Sequence, residues 1–296
     1  FPLSHSALLP RVYDFNSATS RADPAPAPTR NNGAAAVGNA EVDNAYDFAG
    51  QVYDFFMLRH SRDSFNGSGA RIDMFVRVCT TAQCPWPNAV SGSGLSAMSF
   101  GAGYVTDDIL AHEFMHKVTE FESGLLYQNA SGAINESFSD IWGEIFDQSN
   151  SGLTPSGTDT TANRWLVGED LAGGAIRNMS NPPAFNNPDR TGSGLFRAPV
   201  TYPRSGLTLD NNDFGGVHSN SGVGNKLCVL LAAGGSFNGK TISNLGNNTT
   251  LDLFYDVNTN YLTPGSDWLD LNFAMRQAAA AYGTAVATNV GNACDA

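Results

Sequence analysis

His112 and His116 flank Glu113, Phe114 and Met115, and this spacing constrains the fold more than any other feature of the chain. Two imidazoles four residues apart share one face only on an α-helix, where both can reach a single metal ion. Glu113 then sits beside them, able to hold a water without becoming a ligand. The neighbouring pattern agrees. Leu110, Phe114, Val118 and Phe121 mark one side of a helix that Thr106, Asp107 and Asp108 can cap and Gly124 can stop. A catalytic zinc site needs a third protein ligand and an open position. One extended type takes a third histidine six residues after the second, but that position holds Glu122. The other type takes a glutamate from a following helix. Residues 132–143 read GAINESFSDIWG, where Glu136 and Asp140 are again four apart, among Ile134, Phe138, Ile141 and Trp142.

Composition narrows the partners. The chain has 296 residues with 16 basic against 28 acidic side chains, a net charge of −12 and only three lysines. Nucleic acid and anionic membranes both need a concentrated basic face, so neither is expected. No apolar run approaches the roughly 18 residues that cross a bilayer. Charged residues are 15% and apolar ones 42%, which excludes global disorder. The chain begins at Phe1, which reads as a processed product whose leader is gone. Cysteine usage fits an oxidising compartment: Cys79 and Cys84 can close a small loop, and Cys228 and Cys294 would then pair across a long one. Four reduced thiols are the alternative.

Along the chain, the first forty residues read as irregular, with a Pro/Ala/Asn/Gly-rich stretch at 23–40. Val42, Ala45, Phe48, Ala49, Val52, Phe55 and Phe56 recur at helical steps and predict a helix over 41–60. Residues 71–78 alternate like a strand, and 91–103 suggest twisted edge strands and turns. Helices are predicted over 132–148, from after Asn220 to Gly234, and over 251–261 and 268–282, with a polar loop at 149–163.

Three separated motifs now stand in order: HEFMH at 112–116, SGLLYQNASGAINESFSDIWG at 123–143 and GGVHSNSG at 215–222. Together they resemble the thermolysin family of secreted zinc metalloendopeptidases, with few breaks from about Ala40 to Ala296. The resemblance implies an α+β, two-lobed fold: a mixed sheet and helix lobe over 1–126, a mainly helical lobe over 127–296, and the zinc helix between them. It implies zinc on His112, His116 and Glu136, with Glu113 as the general base acting on a water at the zinc. Asp140 would brace His112, and Asn135 would help to fix His116. Tyr127 and His218 would stabilise the oxyanion, and Asp213 would orient His218. Arg177, Asn88 and Ala89 would hold substrate backbone. Ile109, Val167 and Ile176 would line an aliphatic specificity pocket, implying cleavage before apolar residues. Polypeptide substrates, an inhibitory pro-segment removed on maturation, a monomer and an extracellular location are implied as well.

The pattern also departs from the family. Asp108, Asp147 and Glu169 match calcium ligands, but Arg164 and Leu166 replace carboxylates, so one calcium is expected and not two. A calcium-binding loop is shortened after Asp170, and a pocket-walling loop is missing between Gly103 and Asp107. A Cys228–Cys294 bridge could compensate for lost calcium. Two other functions remain open on the sequence: a zinc aminopeptidase with the same ligands, and a binding module with a vestigial site. No clear acidic segment for a substrate amino terminus is present, and the full set of Glu113, Tyr127, Asp213 and His218 speaks against a vestige.

Overall fold

Parallel neighbours in a sheet cannot be joined by a tight turn. The helix α1 (Ala40–His60) supplies the crossover between β1 (Arg11–Asp14) and β2 (Asp73–Val76), which pair in parallel with Arg11 opposite Asp73. These two side chains also form a two-point ion pair at 2.7 and 2.5 Å. The computed structural model describes residues 10–16, 27–31, 33–92, 97–150, 160–200 and 212–296. The sheet continues to β4 (Ala97–Phe100), parallel to β2, and ends on β3 (Ala89–Ser91), antiparallel to β4. Two expectations are corrected here. Residues 11–14 form a strand inside the stretch read as irregular, because four residues are too few to show periodicity. Residues 97–100 form an inner strand with all four side chains buried, so of β3 and β4 only β3 lies at an edge of the sheet. Most of 149–163 and part of 23–40 fall outside the described residues.

α1 forms where its stripe predicts. Asn39 caps it by accepting from Glu41 N, acidic residues fill its first turn, and Ser61 ends it in the left-handed region. Val42, Ala45, Phe48, Ala49, Val52 and Phe56 are buried. Phe56 meets Phe114 with ring centroids 5.0 Å apart. Phe114 belongs to α2 (Asp107–Phe121), whose Leu110, Ala111, Phe114, Met115 and Val118 have no exposure at all. Burying a phenylalanine contributes roughly 2–3 kcal/mol, so this anchorage fixes the histidine helix firmly. Gly124, at φ 63°, returns its N–H to Thr119 O and closes α2 where expected.

Two compact units divide the chain. One comprises Phe1–Val118, Phe146–Ala162 and Gly168–Ala175; the other comprises Thr119–Ile145, Asn163–Val167 and Ile176–Ala296. The first holds the four-stranded sheet. The second is mainly helical, with most of α3 (Asn129–Asn150), α4 (Asp213–Ala233), α5 (Gly246–Asn260), α6 (Trp268–Ala279) and α7 (Thr284–Asp295). Small hairpin-like pairs join β5 (Leu166–Val167) to β6 (Arg177–Asn178) and β7 (Gly235–Phe237) to β8 (Lys240–Ile242). A Cβ on Gly224 would lie 2.3 Å from Ser137 Oγ, so this glycine permits the close approach of α4 to α3. α4 begins earlier than predicted. Its first turn is left-handed from Asp213 to Gly216, which hides its start from a search for apolar periodicity. No helix among the described residues is long and apolar enough to cross a membrane.

Cysteine pairing splits. Cys79 and Cys84 form a disulfide, but Cys228 and Cys294 are free thiols, which corrects the expected second bridge. A separation of five residues brings the first pair together locally. The second pair sits on separate helices, α4 and α7. Burial raises both thiols, that of Cys294 to about 11, so the reactive thiolate is disfavoured at each.

Candidate functional site

His112 and His116 emerge from α2 on one face, as the spacing requires. Their Nε2 atoms are 3.0 Å apart, with ring centroids at 4.7 Å. Two zinc–nitrogen bonds of about 2.05 Å span roughly 3.3 Å at the tetrahedral angle, so the rings are placed to share one ion. Glu136, on α3, completes the set. One ligand atom from each of His112, His116 and Glu136 lies within 4.8 Å of the others. Two imidazoles and one carboxylate suit zinc with a position left open for chemistry. Glu113 is next to His112 and is 5% exposed.

Around Glu136, the second unit gathers two hydrogen-bond donors. Tyr127 Oη donates to Glu136 Oε1 and lies 3.0 Å from His218 Nε2. Asp213 acts on His218 twice. Its Oδ1 accepts from His218 Nδ1 at 2.5 Å, and its Oδ2 accepts from the backbone N–H of His218 and of Ser219. The same carboxylate therefore starts the right-handed part of α4 and points the imidazole. His218 is held above the usual imidazole range, chiefly by the Glu136 carboxylate, while burial opposes and the Asp213 hydrogen bond assists.

Asp140, one turn beyond Glu136, is wholly buried and receives three donors. Arg177 Nε and Nη2 reach it at 2.8 and 2.5 Å, and Asn225 Nδ2 at 2.8 Å. Burial alone would lower the Arg177 guanidinium, but the Asp140 charge and hydrogen bonds raise it above its ordinary value. Asn225 escaped the sequence reading. Its only signal is an amide among the small and apolar residues of α4. Asn135 donates to Leu125 O at 3.3 Å.

A second acidic group stands apart in chemistry. Asp108, Glu144 and Glu169 each offer an oxygen within 4.8 Å of the others. Asp108 is 2% exposed, and burial pushes it up to about 6, against the hydrogen bond from Thr106. Its Oδ2 also accepts from Gly168 N at 2.6 Å. Glu144 was not anticipated here, whereas Asp147, which was, is buried but outside this group. The missed signal was a stripe: Glu136, Asp140 and Glu144 recur every four residues along α3.

The remaining candidates are less convergent. Ala89 lies on the edge strand β3, and Asn88 O accepts from Gly101 N. Ile109 and Val167 are buried, but Ile176 is 43% exposed.

Two family models match the chain. The thermolysin metallopeptidase catalytic domain covers residues 4–120, and the thermolysin metallopeptidase alpha-helical domain covers 123–296. The chain belongs to the thermolysin metallopeptidase family. The match starts well before Ala40, where the resemblance had become legible. A zinc metalloproteinase of Renibacterium salmoninarum is 38% identical over 268 residues, covering 86% of this chain and 47% of that protein. A bacillolysin of Brevibacillus brevis is 35% identical over 250 residues, covering 81% and 41%. The chain thus spans less than half the length of these relatives. Among solved structures, the precursor of protealysin, a metalloproteinase from Serratia proteamaculans, aligns with a TM-score of 0.74 at 26% identity, over 97% of this chain and 86% of that one. The thermolysin-like α+β fold is therefore the fold of this chain.

Proposed function

We propose that the chain is a secreted zinc endopeptidase that hydrolyses internal peptide bonds, with an apolar preference after the cut. The observation that carries this reading is the His112, His116 and Glu136 group with Tyr127 and His218 gathered on its carboxylate. A zinc ion there supplies Lewis acidity, making water nucleophilic near neutral pH and polarising the scissile carbonyl.

The chain's own residues do the rest. Glu113 takes the proton from the attacking water and hands it to the leaving amine. Tyr127 Oη and His218 Nε2 donate to the oxygen on which negative charge develops, a term often worth several kcal/mol. Asp213 keeps His218 in the tautomer and direction for that donation. Arg177, braced by Asp140, holds a substrate carbonyl, and the exposed edge of β3 at Asn88 and Ala89 pairs with substrate backbone as an added strand. Asp140 also orients His112. Ile109, Val167 and Ile176 shape the apolar pocket. A single calcium on Asp108, Glu169 and Glu144, with Asp147 one turn further along α3, stiffens the fold. An inhibitory pro-segment and a monomeric mature enzyme complete the proposal.

The deciding experiment is hydrolysis of a peptide blocked at both ends, before and after chelation and with zinc restored. Zinc-dependent internal cleavage is expected. Cleavage of unblocked peptides only would make the enzyme an aminopeptidase. Zinc uptake without any hydrolysis would leave a binding module.

A further inference from the structure

Four successive residues, Asp213, Phe214, Gly215 and Gly216, have φ of 56°, 50°, 86° and 83°. Glycine adopts this region freely and aspartate tolerates it, but a bulky side chain is disfavoured there. Phe214 nevertheless occupies it, and burial in the core does not explain this, because its side chain is only partly buried. Its ring stands edge-on to Tyr127, with centroids 5.9 Å apart and planes at 66°. Tyr127 is 41% exposed, and its hydroxyl lies 3.0 Å from His218 Nε2. A disfavoured backbone state that holds an aromatic ring at the solvent-facing rim of a site is the kind of strain that persists for function.

We propose that Phe214 is a specificity-determining residue. Its ring forms an apolar wall beside Tyr127 and His218 that favours substrates with an apolar side chain on the residue contributing the scissile carbonyl. The inference rests on the reading of Tyr127 and His218 as oxyanion donors. The oxyanion forms on the carbonyl of the residue preceding the cut bond. A ring packed against one of its donors is therefore within side-chain reach of that residue. This preference is distinct from the apolar preference after the cut.

The test uses zinc-loaded enzyme and two end-blocked peptides that differ only in having Phe or Gly before the scissile bond. The wild type is expected to favour the Phe peptide by about 20-fold in kcat/KM, within the range that one apolar contact supplies. Phe214→Asn should reduce that ratio to about 3, with the Gly peptide changed by less than about two-fold. Phe214→Tyr should restore the ratio. The thermal midpoint of Phe214→Asn should equal or exceed that of the wild type, because asparagine accepts the left-handed region. An unchanged ratio, or equal losses on both peptides, would overturn the proposal while leaving the peptidase reading intact. Failure of the wild type to cut either peptide would overturn both.

Discussion

Two groups of metal-binding character share the helix α3 but differ in their donors. His112, His116 and Glu136 mix nitrogen and oxygen, whereas Asp108, Glu144 and Glu169 offer oxygen alone. Nitrogen-rich sets favour zinc, and all-oxygen sets favour hard cations such as calcium. Their surroundings differ as well. The first group has Glu113 next in sequence to a ligand, and Tyr127 and His218 at Glu136. At the second, Asp108 is occupied with the Thr106 hydroxyl and the Ile109 and Gly168 backbone. On the proposed reading, donor type separates a site that moves protons from one that holds chain segments in place.

That contrast is sharpest at Glu113. Glu113→Gln should lower kcat/KM by about 10³-fold or more while zinc content, measured by metal analysis, stays at one per chain. Loss of zinc instead would turn Glu113 into a structural residue and blur the two groups. His218→Ala should lower kcat by about 10²–10³-fold with zinc retained, as removal of an oxyanion donor does. A change confined to KM would take it out of the chemistry. Arg177→Met removes the two-point partner of the buried Asp140 carboxylate, and should cost about 3 kcal/mol in denaturant unfolding of the zinc-free protein. An unchanged midpoint would mean that Asp140 is held by other means. The smallest effect should come from the oxygen group. Glu144→Gln should weaken calcium binding and lower the thermal midpoint by a few degrees at a fixed calcium level, with kcat at 25 °C unchanged. A fall in kcat there would show that the two groups cannot be separated by function.

The helix carrying the histidines and the stripe carrying Glu136 and Asp140 were legible because each rests on a period that one sequence displays. The inner position of β4 was not, because sheet order depends on pairing between distant segments. The left-handed start of α4 hid for another reason: Asp213 and Phe214 take a conformation that their residue types do not announce. Asn225 was missed because its partner, Asp140, lies 85 residues away in the chain. The second disulfide failed as an expectation because thiol count and chain order say nothing about whether two helices present their sulfurs to one another.

The stripe on α3 has an evolutionary consequence. Glu144 lies eight helical steps beyond Glu136, a span of about 12 Å, and the helix is continuous through both. A single inserted or deleted residue between them would turn one carboxylate about 100° around the axis relative to the other, moving it off the shared face. Length changes should therefore be tolerated in the loops flanking α3 and purged within it, so that the segment from 136 to 144 behaves as a ruler whose divisions drift in residue type but never in number.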